Sequence, residues 1–225
     1  MRVGTWNLEG RWSPAHRALL EGGRCDAWLL TEVPAGLDLG RGRLVASAGM
    51  GALGGRTWAA VWSAGEAVPV ASPHPAAALA VFGDLLLCSC VLPWRGAGRH
   101  WPGDGDTAAR TCAAIDAITP VLAAHDGPLV WGGDWNHALA GPETAGSLAG
   151  RAAIDAAAVR LGLRVATAGL PHRLGGRQRA IDHVAVPVAA RVRLARRIPA
   201  ARLSDHDAYV VDVGSSRPAH RSIER

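Results

Sequence analysis

Carboxylate, amide and imidazole side chains stand at several points where apolar runs of this sequence end. One of these points is residues 132–136, GGDWN, which follow the apolar run Leu129–Trp131. Asp134 and Asn136 are two residues apart, so both project to one side if the backbone is extended. An acid beside an amide can hold a water molecule and a phosphoryl oxygen together, although the same pattern is also typical of a turn.

Two polar side chains near the start of the chain occupy similar positions. Asn7 lies near the end of a strand predicted over Val3–Leu8, and Glu32 closes an apolar run that starts at Asp26. A carboxylate at the end of a buried strand costs free energy unless it is paired or binds a cation. Glu32 therefore indicates either a structural ion pair or a cation site, whereas Asn7 alone is also explained by a hydrogen bond to a turn.

Two stretches late in the sequence, IDHV and LSDHD, combine carboxylates with histidines. Together they offer Asp182 to orient the imidazole of His206, and Asp205 as a ligand for a metal ion. A carboxylate bonded to a histidine fixes its tautomer and raises its basicity. A ligand set rich in carboxylate oxygens suits Mg²⁺ or Mn²⁺ better than Zn²⁺.

The composition excludes several other classes of site. All 24 basic residues are arginine, so a P-loop with its lysine is absent from the sequence, and so is the G-x-S-x-G of serine hydrolases. The four cysteines have no zinc spacing and indicate reduced, mostly buried thiols. No apolar run reaches the length of about 18 residues that spans a membrane. The net charge of +5 favours an anionic partner such as phosphate, but a solvated basic surface also explains it.

A loop predicted over Pro93–Asp106 is rich in basic and aromatic side chains. Aromatic rings can stack on a base, and arginines can bind phosphate. The alternative is that the tryptophans pack on the body of the protein and the charges face solvent. The candidate substrate-binding residues in this loop and at the start of the next helix are Trp94, Arg95, Arg99, His100, Trp101 and Arg110.

The elements that must position these residues are short strands interrupted by a few helices. Turn signals and apolar runs predict about ten or eleven strands, and helical periodicity predicts three main helices that begin near Ser13, Thr107 and Gly146. A length of 225 residues and an apolar fraction of 49% favour one globular domain. We predict an α/β (α+β) fold with two layered sheets, a domain over residues 1–214 and a disordered tail over 215–225.

Six stretches resemble one known family. In order along residues 3–213, these stretches are TWNL, LLTEV, RTWAAVWS, GGDWN, AIDHV and LSDHDAYVV. Together they resemble the endonuclease/exonuclease/phosphatase superfamily, which includes DNase I and the exonuclease III-type repair nucleases. The resemblance implies a four-layer αββα sandwich of two mixed sheets, with helices outside and the active site at one edge of the sheets. It also implies a metal-dependent phosphoric ester hydrolase.

The resemblance implies a metal region around Glu32. This residue would be the principal Mg²⁺ ligand, with Asn7 beside it and Asp205 completing the region. Mn²⁺ would be able to substitute for Mg²⁺.

The resemblance implies catalytic roles for the remaining residues. Asp134 would position or deprotonate the attacking water, and Asn136 would bond the phosphate or the water. His206, held by Asp182, would bind the scissile phosphate and stabilise its developing charge.

The chain also departs from the superfamily pattern. Many members carry a His or Tyr at the strand end where this chain reads Val91-Leu92-Pro93, and His100 in the next loop is a candidate replacement. The chain is short for the superfamily, so we expect some loops that other members use to grip DNA to be missing.

These observations lead to three hypotheses about function. The first is a Mg²⁺-dependent phosphodiesterase that uses in-line attack of water, acting as a nuclease on DNA or RNA. The second is a phosphatase or phosphodiesterase for a small phosphorylated metabolite or a lipid headgroup, and the third is an inactive nucleic-acid-binding module. We also expect a cytoplasmic monomer, because the first residues do not resemble a signal peptide and no interface stripe is evident.

Overall fold

The computed structural model describes residues 1–51, 54–142, 145–175 and 177–214. The predicted disordered tail over 215–225 lies outside the described residues, so that expectation stays a prediction, as do the domain boundaries.

The described residues form three α-helices and twelve strands. The helices are α1 (Pro14–Gly23), α2 (Thr107–Ala123) and α3 (Leu148–Arg160), and a short 3₁₀ helix covers Gly98–His100. In chain order the strands are β1 (Arg2–Asn7), β2 (Ala27–Pro34), β3 (Arg43–Ala46), β4 (Arg56–Ser63), β5 (Val68–Val70), β6 (Ala77–Phe82), β7 (Leu85–Cys90), β8 (Leu129–Asp134), β9 (Leu163–Val165), β10 (Asp182–Pro187), β11 (Arg191–Ile198) and β12 (Ala208–Gly214).

The strands form two mixed sheets of six strands each. The first sheet has the order β11-β12-β1-β2-β4-β3, and the second has the order β5-β6-β7-β8-β10-β9. β1 and β2 are parallel, as are β7 and β8, and the other neighbours are antiparallel.

Apolar side chains hold the sheets and helices together as four layers. Small and branched side chains such as Leu29, Val61 and Val184 fill the space between the two sheets. Bulkier ones such as Trp28 pack beneath α1 on the first sheet. On the second sheet, side chains such as Trp131 pack against residues of α2 and α3 such as Ile118. The predicted αββα sandwich is therefore confirmed.

The strand directions bring distant parts of the chain to one edge of the sandwich. The strands that end at this edge are β1, β2, β3, β7 and β8, and those that begin there are β4, β6, β10 and β12. We call this the Asp134 edge, because β8 ends on Asp134.

Among the described helices, none combines the length and the apolar character needed to cross a lipid bilayer.

Candidate active site

Seven polar side chains from the sequence analysis meet at the Asp134 edge. Asn7 joins the two sheets: its Nδ2 donates to Oδ2 of Asp134 over 3.0 Å and to Oε1 of Glu32 over 3.2 Å. The full set is Asn7, Glu32, Asp134, Asn136, Asp182, Asp205 and His206. Residues between positions 7 and 206 of the sequence thus contribute to one small region.

Two glycines let the neighbouring strands close on Asp134. Gly133 has a φ of +123°, and a Cβ on it would lie 2.0 Å from the carbonyl oxygen of Cys90 on β7. A Cβ on Gly132 would lie 2.3 Å from the carbonyl oxygen of His183 on β10. Only glycine fits such close approaches, so the GG of GGDWN fixes where Asp134 stands.

Asp134, Asp182 and His206 form a compact cluster. Asp182 lies directly opposite Asp134 in the antiparallel β8–β10 register. Nδ1 of His206 is 2.8 Å from Oδ2 of Asp182, and its Nε2 is 3.8 Å from Oδ2 of Asp134. Both carboxylates are buried, and the imidazole stands between them.

Burial and charge shift the proton affinities of this cluster. Burial raises the pKa of Asp134 to about 7, against the lowering effect of the His206 charge and with a further raising effect of Asp182. Burial by itself lowers the pKa of His206, but the carboxylates of Asp182 and Asp134 outweigh it and hold that pKa well above its ordinary value. The cluster is therefore a cationic imidazole held by two acids, one of which can exchange a proton near neutral pH.

Glu32 is held differently, by an arginine. Its Oε2 pairs with NH1 of Arg56, the first residue of β4, and its side chain is 23% exposed. The backbone of Glu32 has a φ of +47°, which is unusual for a residue that is not glycine. A Cβ on Gly10 would lie 2.7 Å from Nε of Arg56, so the guanidinium packs against the Gly10 backbone.

Sequence reasoning did not single out Arg56. The available signal was a charged residue at the first position of the apolar stretch RTWAAVWS. That signal did not reveal a partner, because the contact to Glu32 depends on how β4 pairs with β2.

Asn136 forms a turn that also clamps Asp134. Its backbone N–H donates to Oδ1 of Asp134 over 3.0 Å, and its Nδ2 donates to the carbonyl oxygen of Leu92 over 2.9 Å. The φ of Asn136 is +53°, a value that asparagine tolerates better than most residues. Asn136 therefore forms a turn, as one interpretation of the sequence has it, and it also lies beside Asp134 in the candidate site.

The rim of the site is built from the loop before β12. Asp205 is 68% exposed, and its Oδ1 is 3.9 Å from Nε2 of His206. Ser204, which sequence reasoning missed, donates from Oγ to the carbonyl oxygen of Asn7 over 2.7 Å and accepts from the N–H of His206 over 3.0 Å. This serine ties the loop to the end of β1.

Comparison with solved structures gives matches over nearly the whole chain. An AP endonuclease from Archaeoglobus fulgidus matches with a TM-score of 0.71 at 14% identity, over 96% of this chain and 100% of that one. A 3′-5′ exonuclease (NExo) from Neisseria meningitidis matches with a TM-score of 0.69 at 20% identity, over 95% and 99%. An endonuclease/exonuclease/phosphatase from Beutenbergia cavernae DSM 12333 matches with a TM-score of 0.65 at 18% identity, over 95% and 71%.

The fold is that of the endonuclease/exonuclease/phosphatase superfamily. The resemblance seen in the six sequence stretches is thereby confirmed at the level of the fold. No protein-family model matches the sequence, and no curated protein sequence matches it.

The departure from the superfamily pattern at the end of β7 is visible in the structure. Val91, Leu92 and Pro93 are all buried, and the N–H of Leu92 donates to the carbonyl oxygen of Asp134 over 2.9 Å. This position is therefore apolar where many superfamily members carry a His or Tyr. The predicted replacement, His100, is half-buried and lines a cavity beside Trp101.

The other candidate substrate-binding residues are distributed between the core and the surface. Trp101 is buried, and its ring centroid is 4.9 Å from that of Trp58, whereas Trp94 is half-buried with a ring 6.4 Å from Trp58. Arg95 and Arg110 donate hydrogen bonds to the carbonyl oxygens of Gly146 and Gly98. The side chain of Arg99 lies outside the described part of the chain.

The donor set fits a metal ion. Asp134, Asp182 and His206 each offer a ligand atom, and these atoms lie within 4.8 Å of one another. Oδ1 of Asp182 is buried and has no hydrogen-bond partner among the described residues, which a nearby cation would relieve. Glu32 and Asp205 add carboxylate oxygens, and such oxygen-rich sets suit hard divalent cations.

Asn7 presents its amide nitrogen rather than its oxygen to these acids. Its Oδ1 accepts from the N–H of Glu9 over 2.8 Å, which orients the side chain. In this orientation the Asn7 amide donates hydrogen bonds to the carboxylates. It would bind a metal ion through its oxygen only if the amide group rotated so that the oxygen faced the acids.

Proposed function

We propose that this protein is a metal-dependent phosphodiesterase that cleaves DNA or RNA. The observation that carries the proposal is the buried Asp134–Asp182–His206 cluster, which pairs an acid of raised pKa with a cationic imidazole at the edge of the sheets. That combination can accept a proton and hold a phosphate anion side by side.

Asp134 is assigned to the attacking water. Two N–H donors, from Asn7 and from the backbone of Asn136, fix the direction of its carboxylate. A pKa of about 7 is close to the value that suits a general base at neutral pH. As the water oxygen bonds to phosphorus, its proton passes to Asp134. The bond to the leaving oxygen breaks, and that oxygen keeps the electron pair and takes up a proton from solvent.

His206 is assigned to the scissile phosphate. Asp182 bonds Nδ1, so Nε2 is the atom that can donate to a phosphate oxygen. Asp182 stabilises the imidazolium and fixes its orientation, which is the usual effect of a carboxylate on a histidine. A positioned cationic donor stabilises the charge that develops as the bond breaks.

The metal ion that we propose is Mg²⁺, with Mn²⁺ as a substitute. Glu32 and Asp205 at the rim would hold it. A cation in the Asp134–Asp182–His206 cluster instead would require a neutral imidazole, because a metal ligand must offer a lone pair. The bound ion would neutralise charge on the phosphate oxygens. Glu32 already balances one positive charge, that of Arg56, so its carboxylate is placed to exchange one cationic partner for another.

Two observations favour nucleic acid as the substrate. The chain has a net charge of +5, and a basic surface attracts a polyanion. Two of the matched structures carry the names of nucleases, an AP endonuclease and a 3′-5′ exonuclease.

The test is hydrolysis of labelled single- and double-stranded oligonucleotides with Mg²⁺, Mn²⁺ or EDTA. We compare the natural protein with Asp134→Asn, and use Asp155→Asn, an exposed aspartate on α3, as the matched control. Cleavage that needs metal, survives in Asp155→Asn and is lost in Asp134→Asn supports the proposal.

Two other results would favour a different function. Turnover of bis(p-nitrophenyl) phosphate or of a small phosphate ester, without cleavage of any oligonucleotide, would favour the metabolite or lipid phosphatase. Oligonucleotide binding without turnover of any ester would favour the inactive binding module.

A further inference from the structure

The positive charge of this protein is concentrated in one stretch of the chain. Residues 156–203 contain ten of the 24 arginines and one of the 19 acids, Asp182, which is buried in the candidate active site. The remainder of the chain carries 14 arginines and 18 acids, so its net charge is negative. The use of arginine in place of lysine along the whole chain does not explain this asymmetry, because it changes the kind of basic residue and not its position.

This stretch forms one side of the sandwich. It contains β9 and β11, which are edge strands of the two sheets. Their neighbours β10 and β12 pack against each other, so β9 and β11 lie on the same side. Arg164 on β9 donates to the carbonyl oxygen of Ala190, the residue before β11, and so bridges the two edges. We call this side the arginine flank, and the members that the argument uses are Arg173, Arg177, Arg191, Arg193, Arg196 and Arg197.

Most arginines of the flank are exposed and have no acidic partner. Arg177, Arg191, Arg193 and Arg196 are exposed, and none of these four forms an ion pair with a described acid. Residues 191–202 hold five arginines and no acid. A surface of one sign attracts ligands of the opposite sign, so the flank is suited to a polyanion.

The flank begins at the rim of the candidate active site. Arg173 donates to the carbonyl oxygen of Ser204, whose Oγ accepts from the N–H of His206 over 3.0 Å. Arg173 and Arg197 approach Asp207 over 3.9 Å and 3.4 Å, so one carboxylate balances only one of the two guanidinium charges. Their side chains are 31% and 29% exposed, which leaves part of each accessible to a ligand.

From this rim, β11 runs along the flank to the opposite edge of the sandwich. Ile198 pairs with Ala208, where β12 begins at the Asp134 edge, and Arg191 pairs with Gly214 at the other end of β12. The six steps from Arg197 to Arg191 cover about 20 Å, at about 3.3 Å for each residue of a strand. Since a nucleic acid strand in a helix has one phosphate for about 3.4 Å of axis, this length faces several phosphates.

The flank offers charge without aromatic rings. None of the nine tryptophans lies within residues 156–203, and neither does the single tyrosine or the single phenylalanine. Stacking of unpaired bases uses aromatic side chains, and Trp and Tyr are enriched at membrane interfaces. Contacts to phosphate oxygens need only arginine or other donors. The composition therefore favours the phosphates of a nucleic acid over its bases and over a lipid surface.

We propose that the arginine flank binds phosphates of the substrate strand that lie several nucleotides away from the cleaved bond. The inference rests on the proposed function and extends it by specifying the substrate class, a polynucleotide instead of a small phosphate ester. Arg173 and Arg197 contact the phosphates nearest to the site, and Arg193 and Arg196 contact more distant ones. Because these contacts are to phosphates, binding along the flank is independent of the base sequence.

The first test measures the salt dependence of binding in the absence of cleavage. Fluorescence anisotropy in EDTA follows a labelled oligothymidylate that is long enough to reach the end of β11. The variants are Arg193→Gln/Arg196→Gln and, as the matched control, Arg41→Gln/Arg43→Gln. The control removes the same charge from exposed arginines at the opposite edge of the first sheet.

The number of phosphate contacts sets the expected result. Counterion release makes the logarithm of the affinity fall with the logarithm of the salt concentration, by about 0.7 for each phosphate contact on a single strand. We expect a slope that is shallower by about 1.4 in Arg193→Gln/Arg196→Gln and unchanged in the control. Equal slopes in the two variants would overturn the proposal, and thermal unfolding reports whether each variant is folded.

The second test separates phosphates from bases. A strand of the same length built only from abasic nucleotides should bind the natural protein with the same salt slope as the oligothymidylate. A slope as shallow as that of a thymidine dinucleotide would show that the bases make the contacts, and would overturn the proposal.

The third test addresses a lipid surface as the partner. Vesicles of phosphatidylserine and phosphatidylcholine should not distinguish the natural protein from Arg193→Gln/Arg196→Gln. Vesicle binding that is lost in this variant, while its oligonucleotide slope stays that of the natural protein, would assign the flank to a lipid surface and overturn the proposal.

Hydrolysis distinguishes the flank from the candidate active site. Turnover of bis(p-nitrophenyl) phosphate should be unchanged in Arg193→Gln/Arg196→Gln, because this diester is too small to reach the flank, whereas KM for the long oligonucleotide should rise. A shallower slope in a protein that cleaves no ester would leave the flank standing and contradict the proposed function. Metal-dependent cleavage of oligonucleotides with equal slopes in the two variants would do the reverse.

Discussion

Glu32 on the first sheet and Asp134 on the second show two ways of keeping a carboxylate at the same edge. Glu32 is 23% exposed and is balanced by the guanidinium of Arg56. Asp134 is buried, has no arginine partner among the described residues, and is held by the amide of Asn7 and the backbone of Asn136. Asn7 donates to both acids and so joins the two arrangements.

The difference separates two chemical tasks. A carboxylate paired with an arginine already has one cationic partner, and it can bind a different cation if the arginine moves away. A buried carboxylate beside another acid has a raised pKa and can therefore pick up a proton. Under the proposed function, the first sheet would offer the cation-binding acid and the second the proton-exchanging acid, with His206 next to the latter.

The largest effect is expected at Asp134. Asp134→Asn keeps the shape of the side chain but cannot take the proton of water, so kcat should fall by about 10²–10⁴-fold. Steady-state hydrolysis of the best oligonucleotide substrate measures this loss. A rate equal to that of Asp155→Asn would show that the buried acid is not the base.

The Asp182–His206 pair should behave as a unit. His206→Ala should lower kcat by about 10²–10³-fold because it removes a donor to the developing charge. Asp182→Asn acts through the imidazole, so the double variant should be little slower than His206→Ala alone. Multiplicative losses in the double variant would show that Asp182 has a separate role.

Substitutions of Glu32 and of Arg56 should shift the Mg²⁺ concentration needed for half-maximal rate in opposite directions. Glu32→Gln should raise the Mg²⁺ concentration needed for half-maximal rate by about 10–100-fold, since a ligand is lost. Arg56→Gln removes a competing cation and should lower that concentration by less than about tenfold. Metal titrations of activity measure both, with Arg41→Gln as the control for an exposed arginine. Shifts in the same direction would mean that Arg56 supports the ligand instead of competing with the metal ion.

The smallest effect is expected at Ser204, which ties the rim loop to β1. Ser204→Ala leaves the carbonyl of Asn7 and the N–H of His206 without this partner, so it should lower the free energy of unfolding by about 1–3 kcal/mol. Urea denaturation measures the loss. An unchanged rate of hydrolysis together with an unchanged free energy of unfolding would indicate that other contacts of the loop are sufficient to hold His206.

Local sequence patterns predicted most of the elements. The start of α1 at Pro14 follows from a Ser-Pro pair. Its end was predicted near Glu21, before two glycines, but the helix includes Gly22 and Gly23 and is capped by Arg24 with a φ of +49°. β3 and β9 were not predicted as separate strands, because they are short and lie at the edges of the two sheets, where side chains do not alternate between a core and solvent. The buried faces of β7 and β8 were predicted because Cys88, Cys90 and Trp131 lie in continuous apolar runs.

The candidate site was predictable in its members but not in its pairings. Spacing placed Asp134 and Asn136 on one turn, and the LSDHD stretch put Asp205 and His206 together. The partner of Glu32 was not predictable, since an isolated strand-end acid fits an ion pair and a cation site equally well. The cavity beside Trp101 was also beyond sequence reasoning, because its lining comes from three separate stretches, residues 49–58, Pro75 and residues 100–102.

The sequence by itself determined which side chains stand at the ends of strands, because strand and turn signals act over a few neighbouring residues. It also determined that β8 carries two glycines before Asp134, which only close-packed strands require. The tertiary structure decided that Asp182 faces Asp134, that Arg56 pairs with Glu32 and that Trp101 is buried against Trp58. These contacts follow from the register and order of the strands, and residues far apart in sequence meet only when the two sheets have packed.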